Sequence, residues 1–175
     1  SGKNGSGAIF FSGCVMRCIF CQNHDISALN NGLTVSIQKL IESMKRLEEQ
    51  HVHNINLVTP THYVTALSEA LKAYKPSVTV IYNCGGYDSV SALKKLEGLV
   101  DVYLPDFKYA DDALAKEYSG ISGYFETAKA AIAEMLRQTG APKFDDDGII
   151  LSGTIIRHLI LPNHTKNSIA VLDCI

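Results

Sequence analysis

Phe11-Ser12-Gly13-Cys14-Val15-Met16-Arg17-Cys18-Ile19-Phe20-Cys21-Gln22-Asn23 sets three cysteines in a C-x3-C-x2-C run. At that spacing three thiolates reach three corners of one [4Fe–4S] cube. The fourth iron then has no protein ligand nearby in sequence and is free to bind a substrate or cofactor. Electron-transfer clusters generally use four cysteines, so a three-cysteine loop points to chemistry at the cluster itself. Two other readings of these residues stay open here. His24 follows Cys21 by three positions and would complete a Cys3His zinc site, although zinc sites usually draw their ligands as two pairs from separate turns. A redox disulfide would leave one of the three thiols unpaired.

The rest of the composition narrows the class. A chain of 175 residues is one domain long, and 46% hydrophobic with 19% charged residues describes an ordinary globular core. A formal net charge of −2 gives no electrostatic case for nucleic acid or an anionic membrane. No apolar run reaches the roughly 18 residues of a membrane span, and no signal-peptide pattern is present. Five cysteines, three of them clustered, suit a reducing cytoplasm better than a secreted disulfide framework. The polar, glycine-rich lead-in Ser1–Gly7 and a helical pattern that stops mid-stride over Asn167–Ile175 suggest one core domain, residues 1–175, cut from a longer protein.

Strand and helix patterns alternate along the chain. Strands are expected at Ala8–Phe11, Asn54–Val58, Val78–Tyr82, Val102–Leu104 and Thr154–Leu161. Between them fall helical stripes: Ile37, Leu40, Ile41, Met44 and Leu47 behind an N-cap at Ser36; Val64, Leu67, Leu71 and Tyr74; Val90, Leu93 and Leu96; Phe125, Ala128, Ile132 and Met135. Asp145-Asp146-Asp147-Gly148 is a turn leading into a hairpin with Ile149–Leu151. The alternation implies parallel β/α units with right-handed crossovers, and five units are too few for a closed eight-strand barrel. The expected fold is α/β, an open partial barrel. Polar residues gather where each strand ends: the cysteine loop, Thr59–His62, Asn83–Gly86, Asp106–Lys108 and Arg157–His158. In β/α barrels, chemistry sits at that end.

The cysteine run, with aromatic Phe20 just before its third cysteine, resembles the signature of the radical S-adenosylmethionine (SAM) enzymes. Four further segments match in order: Asn54–Tyr63, Tyr82–Tyr87, Asp101–Tyr109 and Ile156–Pro162. With Gly7–Cys14 they resemble an uncharacterised branch of proteins related to pyruvate formate-lyase activating enzyme, over nearly the whole chain. The resemblance implies a six-unit partial barrel, here lacking its last strand, so that one sheet edge would be left unpaired. It implies a [4Fe–4S] cluster on Cys14, Cys18 and Cys21, with SAM chelating the open iron, and a 5′-deoxyadenosyl radical that abstracts hydrogen. By analogy with the activases, the substrate is a protein glycine and the electron donor a flavodoxin- or ferredoxin-like protein.

The same resemblance assigns site residues. Phe20 would approach the adenine or pack under the loop. Where the activases carry a Gly-Gly-Glu-Pro-like turn for the SAM amino group, this chain has Thr59-Pro60-Thr61-His62, with hydroxyls and no carboxylate. His62 either caps the following helix or serves as an acid/base or cofactor contact. Asp106 and Lys108 match an Asp-x-Lys motif at the end of strand four. Asn83, Cys84 and Asp106 occupy a monovalent-cation site of some activases, but an amide and a thiol match a hard cation poorly. Arg157 would hold the SAM carboxylate or the substrate with its planar fork, or else form an interstrand salt bridge. Cys84 reads as a buried thiol.

Overall fold

The computed structural model describes residues 2–175; Ser1, the first residue of the polar lead-in, lies outside them. After β1 (Gly7–Phe10) the chain makes the cysteine loop and a one-turn helix α1 (His24–Ser27). Then come α2 (Ile37–Glu49), β2 (Asn54–Val58), α3 (Val64–Ala73), β3 (Thr79–Cys84) and the short α4 (Val90–Leu93). β4 (Val102–Pro105), α5 (Asp112–Ser119), α6 (Tyr124–Thr139), β5 (Lys143–Phe144), β6 (Ile150–Thr154) and α7 (Thr165–Leu172) complete the order. Among the described residues the strands form one six-stranded sheet in the order β1-β2-β3-β4-β6-β5. All pairs are parallel except β5 with β6, and the sheet does not close.

Side-chain alternation assigns the two faces of the sheet. Ile55, Leu57, Val80, Tyr82 and Tyr103 point to the helix side and share one core with Leu40, Ile41 and Met44 of α2 and Leu67 and Leu71 of α3. Each such large side chain, fully buried, contributes about 1.5–3 kcal/mol. The Ser36 hydroxyl accepts from Lys39 N–H at 3.1 Å and starts α2 where expected. The other face carries the intervening residues. There Phe10, Val58, Asn83 and Leu104 form one row across four strands by register. Those four are half-buried or exposed, so this face is open. A second core, made of Met16, Phe107, Tyr109, Tyr124, Ile132, Leu161 and their neighbours, fills the space between the cysteine loop, α5, α6 and α7.

The structure corrects four expectations. The fifth parallel strand is Ile150–Thr154, not Thr154–Leu161. Its bonding continues beyond the strand: Ile155 N–H donates to Tyr103 O and Arg157 N–H to Pro105 O, each at 2.9 Å, and Phe107 N–H returns to Arg157 O at 2.7 Å. Pro105 has no N–H to give back, so the ladder breaks there and only an isolated Asp106–Arg157 bridge remains. Second, the far edge is not bare: the turn at 145–148 folds β5 back against β6, pairing Lys143 with Ser152 and Phe144 with Ile150. Third, α5 stands where no helix was expected: its apolar stripe is short, Leu114, Ala115 and Tyr118 against the second core, and its caps are the second signal. Asp111 accepts from Ala113 N–H at 2.8 Å, and Gly120 stops the helix in the left-handed region. Fourth, β3 runs to Cys84, two residues past Tyr82.

Candidate functional site

The cysteine loop begins where β1 ends and is held from three sides. His62 Nε2 donates to the Ser12 carbonyl at 2.7 Å, from the turn that follows β2. This overturns its reading as a helix cap, since the residue preceding α3 is Tyr63, with no side-chain cap bond. His62 is a strut between the two strand ends. Met16, buried, lies over Gly85 at the end of β3. Arg17 N–H donates to the Ser119 carbonyl and Ile19 N–H to the Tyr118 carbonyl, both at 2.9 Å, docking the loop on the end of α5.

Cys14, Cys18 and Cys21 are free and half-buried. Each sulfur has a hydrogen-bond partner: Met16 N–H to Cys14 at 3.4 Å, the Ser119 hydroxyl to Cys18 at 2.9 Å, and the Ser27 hydroxyl beside Cys21 at 3.1 Å. Burial is the main cause raising the Cys14 and Cys18 thiols above the ordinary cysteine range, and the charge of Cys21 adds to both. Cys14 and Cys18 are therefore held as neutral thiols until a metal displaces their protons. Among the described residues no three His, Cys, Asp or Glu side chains stand close enough to grip a single metal ion. The compact Cys3His zinc arrangement is thus not formed, and His24 is exposed, its Nδ1 3.7 Å from Asp25 Oδ1. In a four-iron cube each cysteine binds a different iron, so the sulfurs stand farther apart than ligands sharing one ion. Three thiols on one loop suit that donor set. Phe20 is half-buried against the second core, which is the packing role.

The ends of β3, β4 and β6 meet in a charged cluster on the open face. Asp106 is bracketed by Lys108 Nζ and by Arg157 Nη2, the latter at 2.8 Å from Oδ1. Arg157 Nη2 also donates to Asn83 Oδ1 at 2.8 Å. The interstrand salt bridge considered for Arg157 is therefore present, and its side chain stays 43% exposed. Tyr124, fully buried, closes the cluster from below: its hydroxyl is 2.9 Å from both the Gly85 and Asp106 carbonyls and accepts from Lys108 N–H at 2.9 Å. Two residues before Val58 on β2, on the same face, sits Asn56, whose Oδ1 is buried without a hydrogen-bond partner. An orphaned acceptor on the open face fits a ligand that brings an N–H or O–H. His158 is committed elsewhere, its ring bridging the Phe107 carbonyl and the Ser168 hydroxyl at 2.7 and 2.9 Å.

Two sequence-stretch residues behave differently from the expected set. Thr59 has φ +60, which a β-branched residue rarely adopts, and its N–H donates to Asn83 O at 2.8 Å. Strain of this kind costs of order 1–3 kcal/mol and gathers at functional sites. Cys84 faces the helix side, opposite Asn83, so the three cation-site positions do not converge. Its thiol is fully buried and lies with Thr61, Tyr82 and Asp88. Asp88, Tyr124, Asn56 and Ser119 were not legible as site residues; no local motif marks them.

Asp88 yields a prediction. It is 2% exposed, Oδ1 accepts from Tyr82 OH at 2.7 Å, and Oδ2 has no partner. Burial outweighs the bond from Tyr82 and the nearby Cys84 and Thr61 side chains and lifts its pKa above the usual carboxylate range. With the folded pKa above the unfolded value of about 3.9, Asp88's contribution to stability is fully present below the unfolded pKa and is lost as pH rises through the folded one. An Asp88→Asn protein carries no such charge. Its urea midpoint should gain on wild type as pH is raised from about 4 toward neutrality; parallel curves would show that the carboxylate is not perturbed.

Comparison with known proteins agrees with this geometry. The model of the Radical SAM superfamily matches residues 8–172. An uncharacterized protein of Methanocaldococcus jannaschii is 29% identical over 178 residues, covering 97% of this chain and 46% of that protein. The chain thus spans about half the length of that curated relative. Among solved structures, HydG, a maturase of the [FeFe]-hydrogenase, superposes over 97% of this chain and 38% of its own, with TM-score 0.66 and 13% identity. Methylornithine synthase (PylB) does so over 97% and 50%, with TM-score 0.61 and 16% identity. At those identities the likeness is one of fold, and it is the fold of an open partial barrel. No helix among the described residues is long and apolar enough to cross a membrane. With a family match over nearly its full length and a three-cysteine loop at the mouth of a partial β/α barrel, this chain belongs to the radical SAM superfamily, whose enzymes use a [4Fe–4S] cluster and S-adenosylmethionine.

Proposed function

We propose that Cys14, Cys18 and Cys21 hold a [4Fe–4S] cluster and that the protein cleaves SAM to abstract hydrogen from a substrate. When bound, the cluster and SAM supply one-electron cleavage of the C5′–S bond, giving methionine and the 5′-deoxyadenosyl radical. The observation that carries this reading is the gathering of Asp106, Lys108, Arg157 and Asn83 on the same end of the sheet as the cysteine loop. Arg157 uses Nη2 to tie three strand ends together and offers its remaining N–H groups to a carboxylate. Asp106 and the Asn56 carbonyl oxygen are acceptors for an ammonium or hydroxyl. Thr59 supplies a neutral oxygen where the activases have an acid, while Thr61 lies beside buried Asp88, so binding leans on Arg157 and Asp106. Phe20 both packs the loop and borders the adenine.

The glycyl radical activase reading, a protein glycine as substrate, a flavodoxin- or ferredoxin-like donor and a cytoplasmic setting rest on the resemblance of the strand-end segments. Modification of a small molecule or another peptide is the alternative this chemistry serves equally.

Calorimetric titration of SAM into the anaerobically reconstituted full-length protein tests the site. A lost charge-assisted hydrogen bond is worth about 1.5–3 kcal/mol, so Arg157→Ala should weaken SAM binding roughly ten- to a hundredfold. Arg157→Lys should recover little, because an ammonium cannot reproduce a two-pronged contact. Wild-type affinity in Arg157→Ala would confine this arginine to holding the strands.

A further inference from the structure

The end of α5 treats Cys18 differently from the other two cysteines. The amides of its neighbours Arg17 and Ile19 are both committed to helix carbonyls, those of Ser119 and Tyr118. Between them the Ser119 hydroxyl donates to Cys18 Sγ at 2.9 Å. Ser119 and Tyr109 are both fully buried, and the Tyr109 hydroxyl lies 2.6 Å from Ser119 Oγ. Since the single Ser119 hydroxyl hydrogen is aimed at sulfur, the phenol donates to the serine oxygen. The result is a two-step chain, Tyr109 to Ser119 to Cys18, in which each bond strengthens the next away from water. Cys14 meets only a longer backbone contact of 3.4 Å, and Cys21 pairs with a half-buried serine.

We infer that Ser119, polarised by Tyr109, is a built-in donor to the Cys18 thiolate that raises the reduction potential of the cluster bound there. This rests on the cluster reading above. One electron from an external one-electron reductant converts [4Fe–4S]2+ to [4Fe–4S]+, with no proton transferred. The added negative charge is shared by the ligand sulfurs, so a hydrogen bond to one of them is stronger in the reduced state than in the oxidised state. The hydroxyl keeps its hydrogen throughout. No other side chain of α5 reaches a cluster sulfur among the contacts described; Cys14 and Cys21 meet the Met16 amide and the Ser27 hydroxyl instead, neither backed by a buried phenol.

The test is a potentiometric titration of anaerobically reconstituted full-length protein, followed by the electron paramagnetic resonance signal of the reduced cluster. Ser119→Ala should keep its iron and sulfide but become harder to reduce, by about tenfold in the reduction equilibrium, which for one electron is about 59 mV. Tyr109→Phe should shift the same way by less, and Ser119→Thr, which keeps the hydroxyl, should stay near wild type. An intact cluster with an unmoved midpoint in Ser119→Ala overturns the inference. So do equal shifts in Ser119→Ala and Ser119→Thr, which would mark a packing effect. Should Ser119→Ala fail to hold a cluster, Tyr109→Phe decides: a lowered midpoint supports the inference and an unmoved one overturns it. A wild-type protein that assembles no cluster overturns both this inference and the reading beneath it; one that does, with unmoved variants, overturns this inference alone.

Discussion

Cys18→Ala in the full-length protein should abolish both cluster retention and formation of 5′-deoxyadenosine from SAM. With three protein ligands there is no spare: removing one leaves a second iron of the cube without a protein ligand. No neighbour can step in. Cys84 is fully buried on the helix side of β3, and His24 sits at the surface beside Asp25. Cys18 is also the sulfur most firmly placed, between two backbone bonds to α5 and the Ser119 hydroxyl. Iron and sulfide analysis, the visible spectrum and chromatographic product assay after chemical reduction read the result. Cys174→Ala, at an exposed thiol beyond α7, should leave all three unchanged. If Cys18→Ala produced as much 5′-deoxyadenosine as wild type, the cluster assignment would be wrong.

Gly86→Ala should cost at least about 3 kcal/mol of stability, enough to unfold a marginal domain. Gly86 has φ +81, and a Cβ there would overlap the Asp106 carbonyl oxygen and lie 3.1 Å from the Tyr124 hydroxyl. The obstacle is backbone and a buried phenol bonded to three main-chain groups, so neither can yield cheaply. Gly123 separates the two effects. It has φ +66 with open space around it, so Gly123→Ala should show only the left-handed cost of roughly 1–2 kcal/mol. Denaturant midpoints of both variants measure the difference. Equal losses would mean that the ends of β3 and β4 do not approach each other this closely. The consequence reaches function, because the same Asp106 carries the Lys108 and Arg157 pairs.

The β/α alternation was legible because apolar period is a local property, and β2 and α2 fall where their patterns begin and end. The fifth strand was misplaced for a reason of the same kind. Residues 154–161 have strand composition, but pairing depends on a partner that can return each bond, and Pro105 cannot. The helix α5 was missed because it spans only eight residues, so its apolar stripe is just Leu114, Ala115 and Tyr118, bounded by the Asp111 and Gly120 caps. Among site residues, the polar strand ends Asn83, Asp106, Lys108 and Arg157 were expected and do meet. The three positions that match the cation site of some activases, already poorly suited to a hard cation, do not, because adjacent residues of a strand face opposite sides.

By itself the sequence determined the cysteine loop, its donor set and the parallel β/α order, since ligand spacing and hydrophobic period are written within a few residues of each other. Only the tertiary structure decided what stands behind the sulfurs and the strand ends. Ser119 is 101 residues from Cys18, His62 is 50 from Ser12, and Arg157 is 74 from Asn83. A serine at a helix end or an asparagine in a strand carries no local mark of such a role. Its chemistry depends on which atom the packed chain brings within 3 Å, and on whether water is excluded when it arrives.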